Sequence, residues 1–248
     1  MRVSDGILLR LLVGACCALS ACSINPQRKP ELSADARLQV AQAADASGNS
    51  ELALSMYMAA AASAPDNIDL QLRCADALAR RGKIDEAHHM LAERLRAHPG
   101  QPNLSRALAL IDLVAGRPAQ AIAGLDQVLA VNPGDMQALV DKGVALDLLG
   151  QHTAAQAIYQ QMLATSPNDA AARNNLALSL MLEGRTRQAL DTLAPMQNAA
   201  GSSQRLRTNL GILYAATGNV QRSRELLGDK ATDGEVSAMA RAVSAPAP

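Results

Sequence analysis

Residues able to act as ligands, nucleophiles or acid–base groups are few in this chain, and they are scattered. The histidines are His88, His89, His98 and His152, and the cysteines are Cys16, Cys17, Cys22 and Cys74. On a helix His89 and Glu93 stand at i, i+4, a spacing that puts an imidazole and a carboxylate on one face. Two ligands fall short of a zinc centre, so no metal site is expected. No P-loop, Gly-x-Ser-x-Gly, His-Glu-x-x-His or Cys-x-x-Cys run occurs, which leaves no catalytic constellation and no cofactor to assign. Arg80-Arg81 and Arg205-x-Arg207 read as solvated helix surface. The expectation is a protein that is not an enzyme.

The cysteines point to a different chemistry. Arg2 and Arg10 precede or open a short apolar run, Leu11 to Leu19, and the run ends in Leu19-Ser20-Ala21-Cys22. This resembles the bacterial lipobox. The resemblance implies that residues 1–21 are a signal peptide, cleaved before a Cys22 whose thiol carries diacylglycerol and whose new amine is acylated. Two or more acyl chains anchor a protein stably, at about 0.8 kcal/mol per buried CH₂. Ser23, in place of Asp, implies the outer membrane, with the protein facing the periplasm. Residues 22–33, with Pro26 and Pro30, read as an extended tether. Loss of residues 1–21 takes Arg2, Arg10 and Asp5 with it and leaves 21 basic and 22 acidic side chains. Lipid, not charge, then holds the chain to a membrane. Cys74 is left without a disulfide partner and falls on a core face, as an inert thiol.

Composition narrows the class further. The chain of 248 residues is 49% hydrophobic but 1% aromatic, with no Trp, no Phe and 23 basic against 23 acidic residues. It can bury enough apolar surface to fold, and Ala and Leu favour close-packed helices. It lacks the basic footprint and stacking platforms of a nucleic-acid binder and the aromatic walls of many small-molecule sites. No apolar run approaches the 20 residues of a membrane span.

The elements that position everything else follow from a repeat. Gly recurs at 48, 82, 116, 150, 184 and 218, always 34 residues apart. Five residues after each comes Ala53, Ala87, Ala121, Ala155, Ala189 or Ser223. Seventeen after the first four comes Pro65, Pro99, Pro133 or Pro167. A glycine can end a helix in the left-handed conformation, a small residue lets two helices approach, and Pro stops the second helix. Asp66-Asn67 and Asn168-Asp169 offer caps for the next one. Small residues also stand at Ala41, Ala75, Ala109, Gly143, Ala177 and Gly211.

This pattern resembles the tetratricopeptide repeat family from Ala34 to about Lys230. It implies an all-α fold: a right-handed α-solenoid of six helix pairs, A and B, over residues 34–230. Tyr57 and Tyr159 fill the aromatic slot of helix B, and Tyr214 that of helix A. Asp112 takes the helix A slot of repeat 3. Its charge should turn to solvent and leave that helix rotated or loosely packed. Pro195 should shorten helix B of repeat 5. Residues 231–243 read as a C-terminal capping helix, with Val236, Met239, Ala240 and Val243 at helical spacing, and residues 244–248 as a loose tail.

In this family helix A lines the concave wall. The apolar candidates there are Leu110, Leu113, Val140, Val144, Leu178, Met181 and Ile212, with Asn175 and Asn209 on the rim as donors to a partner's backbone. Val114, Leu148 and Leu182 belong to the same helices, where they suit either the groove or packing of helix A on its neighbour. The family's clamp for a terminal carboxylate is not complete, because Val140 and Val144 occupy its first half. An apolar trough with an Asn rim suits an amphipathic helix or an extended segment of a protein partner.

Residues 143–190, with G-x-A-L-D-x-L-G-x-H and N-N-L-A-L-S-L, and residues 207–226 resemble one subfamily, the repeat lipoproteins of tight-adherence (Flp-type) pilus systems. That implies a pilotin or periplasmic scaffold for assembly of the outer-membrane secretin and pilus. The other reading is an adaptor for a periplasmic protease or cell-wall hydrolase. Either takes a protein partner, with no nucleic acid and no small-molecule substrate.

Overall fold

The computed structural model describes residues 32–197, 203–228 and Gly234. The signal peptide, Cys22, the tether up to residue 31, the tail 244–248 and, apart from Gly234, the capping segment lie outside the described residues.

Twelve helices and no strand occur among the described residues. They form six pairs: α1 (Ala34–Ala46) with α2 (Ser50–Ser63), α3 (Ile68–Arg80) with α4 (Ile84–Ala97), and α5 (Pro102–Val114) with α6 (Pro118–Val131). Then follow α7 (Met136–Leu148) with α8 (His152–Thr165), α9 (Ala170–Leu182) with α10 (Thr186–Leu193), and α11 (Gln204–Ala216) with α12 (Val220–Leu227). Successive helices pack antiparallel along the stack, as expected of a solenoid.

The six repeated glycines end the first helix of each pair, with φ between +71° and +85°. One residue past each glycine, the amide returns to the carbonyl five residues back, at 2.8 to 2.9 Å. That bond satisfies a helix-end carbonyl, and the left-handed step it needs suits a residue without Cβ. Asn67, Asp135 and Asp169 cap α3, α7 and α9 with side-chain oxygens.

The small residues mark the inter-helix contacts. Ala53, Ala87, Ala121, Ala155, Ala189 and Ser223 are all buried, as are Ala41, Ala75, Ala109 and Ala177. At Gly143 an added Cβ would run into the Tyr159 ring. At Gly211 it would lie 2.5 Å from Leu227 Cγ. Both positions are glycine because a large side chain from the paired helix fills the space.

The core runs in three stretches. One joins α1 to α5, and one joins α7 to α11. Between them a smaller cluster rests on Ala109, Ala121, Ala138 and Ala145 around Leu125 and Val128. Pro195 has the expected effect: α10 stops at Leu193 and a 3₁₀ turn takes Ala194–Met196. The last helix, α12, ends at Leu227, before Gly228 with φ +72°.

Asp112 departs from expectation. It is 5% exposed, and α5 runs its full thirteen residues without distortion. Its carboxylate accepts Arg117 Nε–H at 2.8 Å and lies 3.3 Å from His88 Nε2. The charge stays inside because α4 and the turn before α6 bring it partners, which is the condition for burying a carboxylate.

Candidate functional site

The first helices of successive pairs lie against one another. Arg106 Nε donates to Asp141 at 2.8 Å, tying α5 to α7. Ser179 Oγ donates to Asp147 at 2.6 Å, tying α9 to α7. Asn209 Nδ2 donates to Asn174 Oδ1 at 2.7 Å, tying α11 to α9. These bonds bring equivalent positions of α5, α7, α9 and α11 into rows.

Two apolar rows result. Leu110, Val144, Leu178 and Ile212 form one, spaced by 34 residues, and all four are half-buried. Val114, Leu148 and Leu182 form the other, four residues further along each helix. They are 65%, 60% and 54% exposed. Exposure of this size rules out helix-on-helix packing for these three side chains and puts them on the open face. Leu113, Val140 and Met181 are half-buried on the same helices and pack partly against the core. The two rows make an apolar track over repeats 3 to 5 that continues to Ile212.

A cavity of about 350 Å³ opens on the track between α7 and α9. Val144, Leu148, Leu178 and Leu182 form its walls, with Asn175 at the edge. Asp147, His152 and Tyr159 complete it. The last two were not singled out for the groove from sequence, because α8 belongs to the outer row of helices. The available signal was Gly143, whose missing side chain admits the Tyr159 ring towards α7.

The polar groups of this cavity are turned on one another. Asp147 accepts from Ser179 Oγ, from Tyr159 Oη at 3.2 Å, and pairs with His152 Nδ1 at 2.9 Å. Burial, then the Asp147 charge and hydrogen bond, push the Tyr159 pKa well above its ordinary value, so its phenol stays a neutral donor. Ser179 is fully buried and donates to the carboxylate, with the imidazole on the same oxygen. A nucleophile would instead need its hydroxyl on the imidazole. The cluster therefore braces α7, α8 and α9.

The rim asparagines also form a chain. Asn209 donates to Asn174, and Asn174 Nδ2 donates to Asn175 Oδ1 at 3.4 Å. Asn209 thus uses an amide hydrogen inside the array, and Asn175 reaches the cavity. Nearby, burial raises the Asp141 pKa despite the opposing pull of Arg106. Towards repeats 1 and 2 the same face is charged. Arg73 pairs with Asp69 at 2.7 Å, and Arg80 pairs with Asp45 at 3.0 Å and with Asp76. The apolar track therefore stops at repeat 3.

The remaining candidates stand apart. His89 faces solvent beside Glu93 at 3.3 Å, and no group of three metal-type ligands occurs among the described residues. Cys74 is buried, and desolvation pushes its thiol up to about 11.

Comparison with known proteins identifies the array. Family models described as tetratricopeptide repeat match residues 106–170 and, for a second model, residues 44–111 and 148–204. The chain belongs to the tetratricopeptide repeat family.

Solved tetratricopeptide arrays share its fold. A repeat protein from Parabacteroides merdae superposes with a TM-score of 0.73 at 14% identity, covering 88% of this chain and 87% of that one. PilW, described as a widely conserved type IV pilus biogenesis factor, gives 0.66 at 21% identity over 85% and 97%. TTC0263 of Thermus thermophilus gives 0.63 at 20% identity over 73% and 98%. At such identities the likeness is one of fold alone. A curated relative from Sinorhizobium fredii, uncharacterized protein y4yS, is 38% identical over 76 residues. That match takes in 31% of this chain and 42% of the relative's length.

Proposed function

We propose that this protein is a lipid-anchored periplasmic scaffold. It holds a segment of a protein partner on the apolar track of its first helices and so assists assembly of an outer-membrane secretin and a Flp-type pilus. The observation that carries the binding part is the exposed row Val114, Leu148 and Leu182, two of which, Leu148 and Leu182, wall a formed cavity. Soluble domains seldom expose contiguous apolar surface except where something binds. The fold supports the same reading, because tetratricopeptide arrays are protein-interaction scaffolds. The pilus assignment is supported by the blocks within residues 143–190 and 207–226. The solved pilus biogenesis factor of similar architecture is consistent with it. Anchoring is supported by Leu19-Ser20-Ala21-Cys22 and the tether behind it.

The test is co-purification from outer membranes, followed by mass spectrometry, with Val144→Asp plus Leu178→Asp as the comparison. Secretin or pilus components that are retained by the native chain and lost by the variant, with little change in melting, support the proposal. A protease or cell-wall hydrolase recovered in their place would move the function to the adaptor reading. Collapse of the helical signal in the variant would make these two residues core and remove them from the site.

A further inference from the structure

We infer that the segment held on the track is an amphipathic α-helix, with large apolar residues seven apart and acidic residues over the repeat 5–6 end. The inference rests on the groove reading given above and names the partner's chemistry.

The spacing is the first argument. Cross-links from α5 to α7, α7 to α9 and α9 to α11 hold neighbouring first helices in contact. Packed helices lie about 8–10 Å apart, so the rows offer an apolar side chain at each such step. Seven residues of α-helix advance about 10.5 Å and return to nearly the same face. A β-strand advances about 10 Å in three residues but presents the opposite face.

Polyproline II geometry also matches the step, at about 9.3 Å for three residues, and hydrogen bonding decides against it. An extended ligand brings an unpaired N–H or C=O at almost every residue, and covering those groups without partners is costly. The track offers them little. Its rows are Leu, Val and Ile. Below them, Tyr159, His152 and Ser179 are all turned onto Asp147. At the rim, Asn209 and Asn174 each commit one amide hydrogen to a chain that ends on Asn175, which leaves only a few polar groups at one edge. A helix satisfies its own backbone and needs only apolar contact from such a surface.

Charge gives the polarity. α9 and α11 carry no Asp or Glu, and the exposed Arg205 stands in the first turn of α11, while Arg173 turns to the Pro167 carbonyl and Arg207 to Gln204. On α7, Asp141 and Asp147 outnumber Lys142. The basic end of the track is therefore repeats 5 and 6, and acidic residues of the partner helix belong there. At the other end the Asp45–Arg80–Asp76 cluster on repeats 1 and 2 closes the apolar surface. Three steps between four first helices give a bound helix of roughly 20 residues.

The probe is a displayed library of 22-residue peptides in three designs of equal apolar content: heptad-spaced, alternating and Pro-x-x repeated. The bait is the full-length chain. Leu148→Asp with Leu182→Asp is the counter-bait, and both sites are more than half exposed. Leu148→Gln with Leu182→Gln is a second counter-bait that adds no charge. The expected result is enrichment of heptad peptides on the native chain, weakened about tenfold or more on both counter-baits. Retained peptides should gain helical circular dichroism on binding, and exchange of their acids for Lys should weaken them further. Enrichment of Pro-x-x or alternating peptides that still depends on Leu148 and Leu182 overturns the helix and leaves the groove standing. Retention equal on all three baits, or no retention by the native chain, overturns the groove itself. Indifference to acid-to-Lys exchange overturns the assigned charge.

Discussion

The same substitution, Gly→Ala, should have opposite signs at two helix interiors of this array. Gly124 lies on α6, where an added Cβ meets Ser105 O at 3.5 Å and Ala109 Cβ at 3.6 Å, ordinary contact distances. Alanine there lowers the conformational entropy of the unfolded chain and fits the helix. A gain of about 0.5–1 kcal/mol is expected. Gly143 lies on α7, where the new Cβ would overlap the Tyr159 ring, with Cζ at 2.5 Å and Oη at 2.7 Å. Tyr159 is fully buried, and its hydroxyl is bound to Asp147, so the ring can yield to the new Cβ only by leaving that carboxylate. Overpacking of about 1–3 kcal/mol outweighs the propensity gain. Loss of the Tyr159–Asp147 bond adds about 1 kcal/mol more. Gly143→Ala should therefore lower stability by roughly 1–3 kcal/mol net. Tyr159→Leu should then make Gly143→Ala less harmful than it is in the native background. Urea unfolding followed by circular dichroism reads the native chain, the three single variants and the Gly143→Ala, Tyr159→Leu double. Stabilisation by Gly143→Ala, or no coupling with Tyr159, would refute the placement of Tyr159 under α7 and with it the floor of the cavity.

Ala155 touches α7 from α8 with no exposed surface, so Ala155→Leu should cost about 1–3 kcal/mol, read as a lower melting midpoint. Ser223→Leu on the short last helix should cost less, because an end repeat opens more readily; equal losses would contradict the register. Cys74, with its thiol near 11, should be about one part in a thousand thiolate at pH 8. Its labelling by Ellman's reagent in a chain starting at residue 24 should be slow until urea is added, and prompt native labelling would contradict its burial. Cys22→Ser should abolish palmitate incorporation and leave the protein uncleaved or soluble; a wild-type chain without label and free of the membrane would contradict the anchor.

The repeat was legible because each of its marks has a single local cause. A helix end needs positive φ, so glycine recurs. A close helix pair needs a small residue, so alanine recurs. Two features were not legible because they join residues from separate helices. Asp112 reads from sequence as a misplaced charge, since nothing local announces that His88 and Arg117 will reach it from α4 and from the turn before α6. Tyr159 and His152 read as ordinary helix B residues, yet the gap at Gly143 and the carboxylate of Asp147 draw them to the cavity. Spacing alone put Val114, Leu148 and Leu182 on the first helices and left two uses open. Their exposure in the folded array decided for the open face.

The central claim, that the open face of repeats 3 to 5 is where a partner sits, is tested most directly by photo-crosslinking in living cells. A photoreactive phenylalanine analogue is placed at Leu148 or Leu182 on the track, and at Val131 as an equally exposed apolar site off it, 71% exposed at the end of α6. Crosslinks to a secretin or pilus-assembly component from positions 148 and 182, and not from 131, are the predicted result. Crosslinks from 131 alone, or none at either track position in cells that assemble the pilus, would contradict the account.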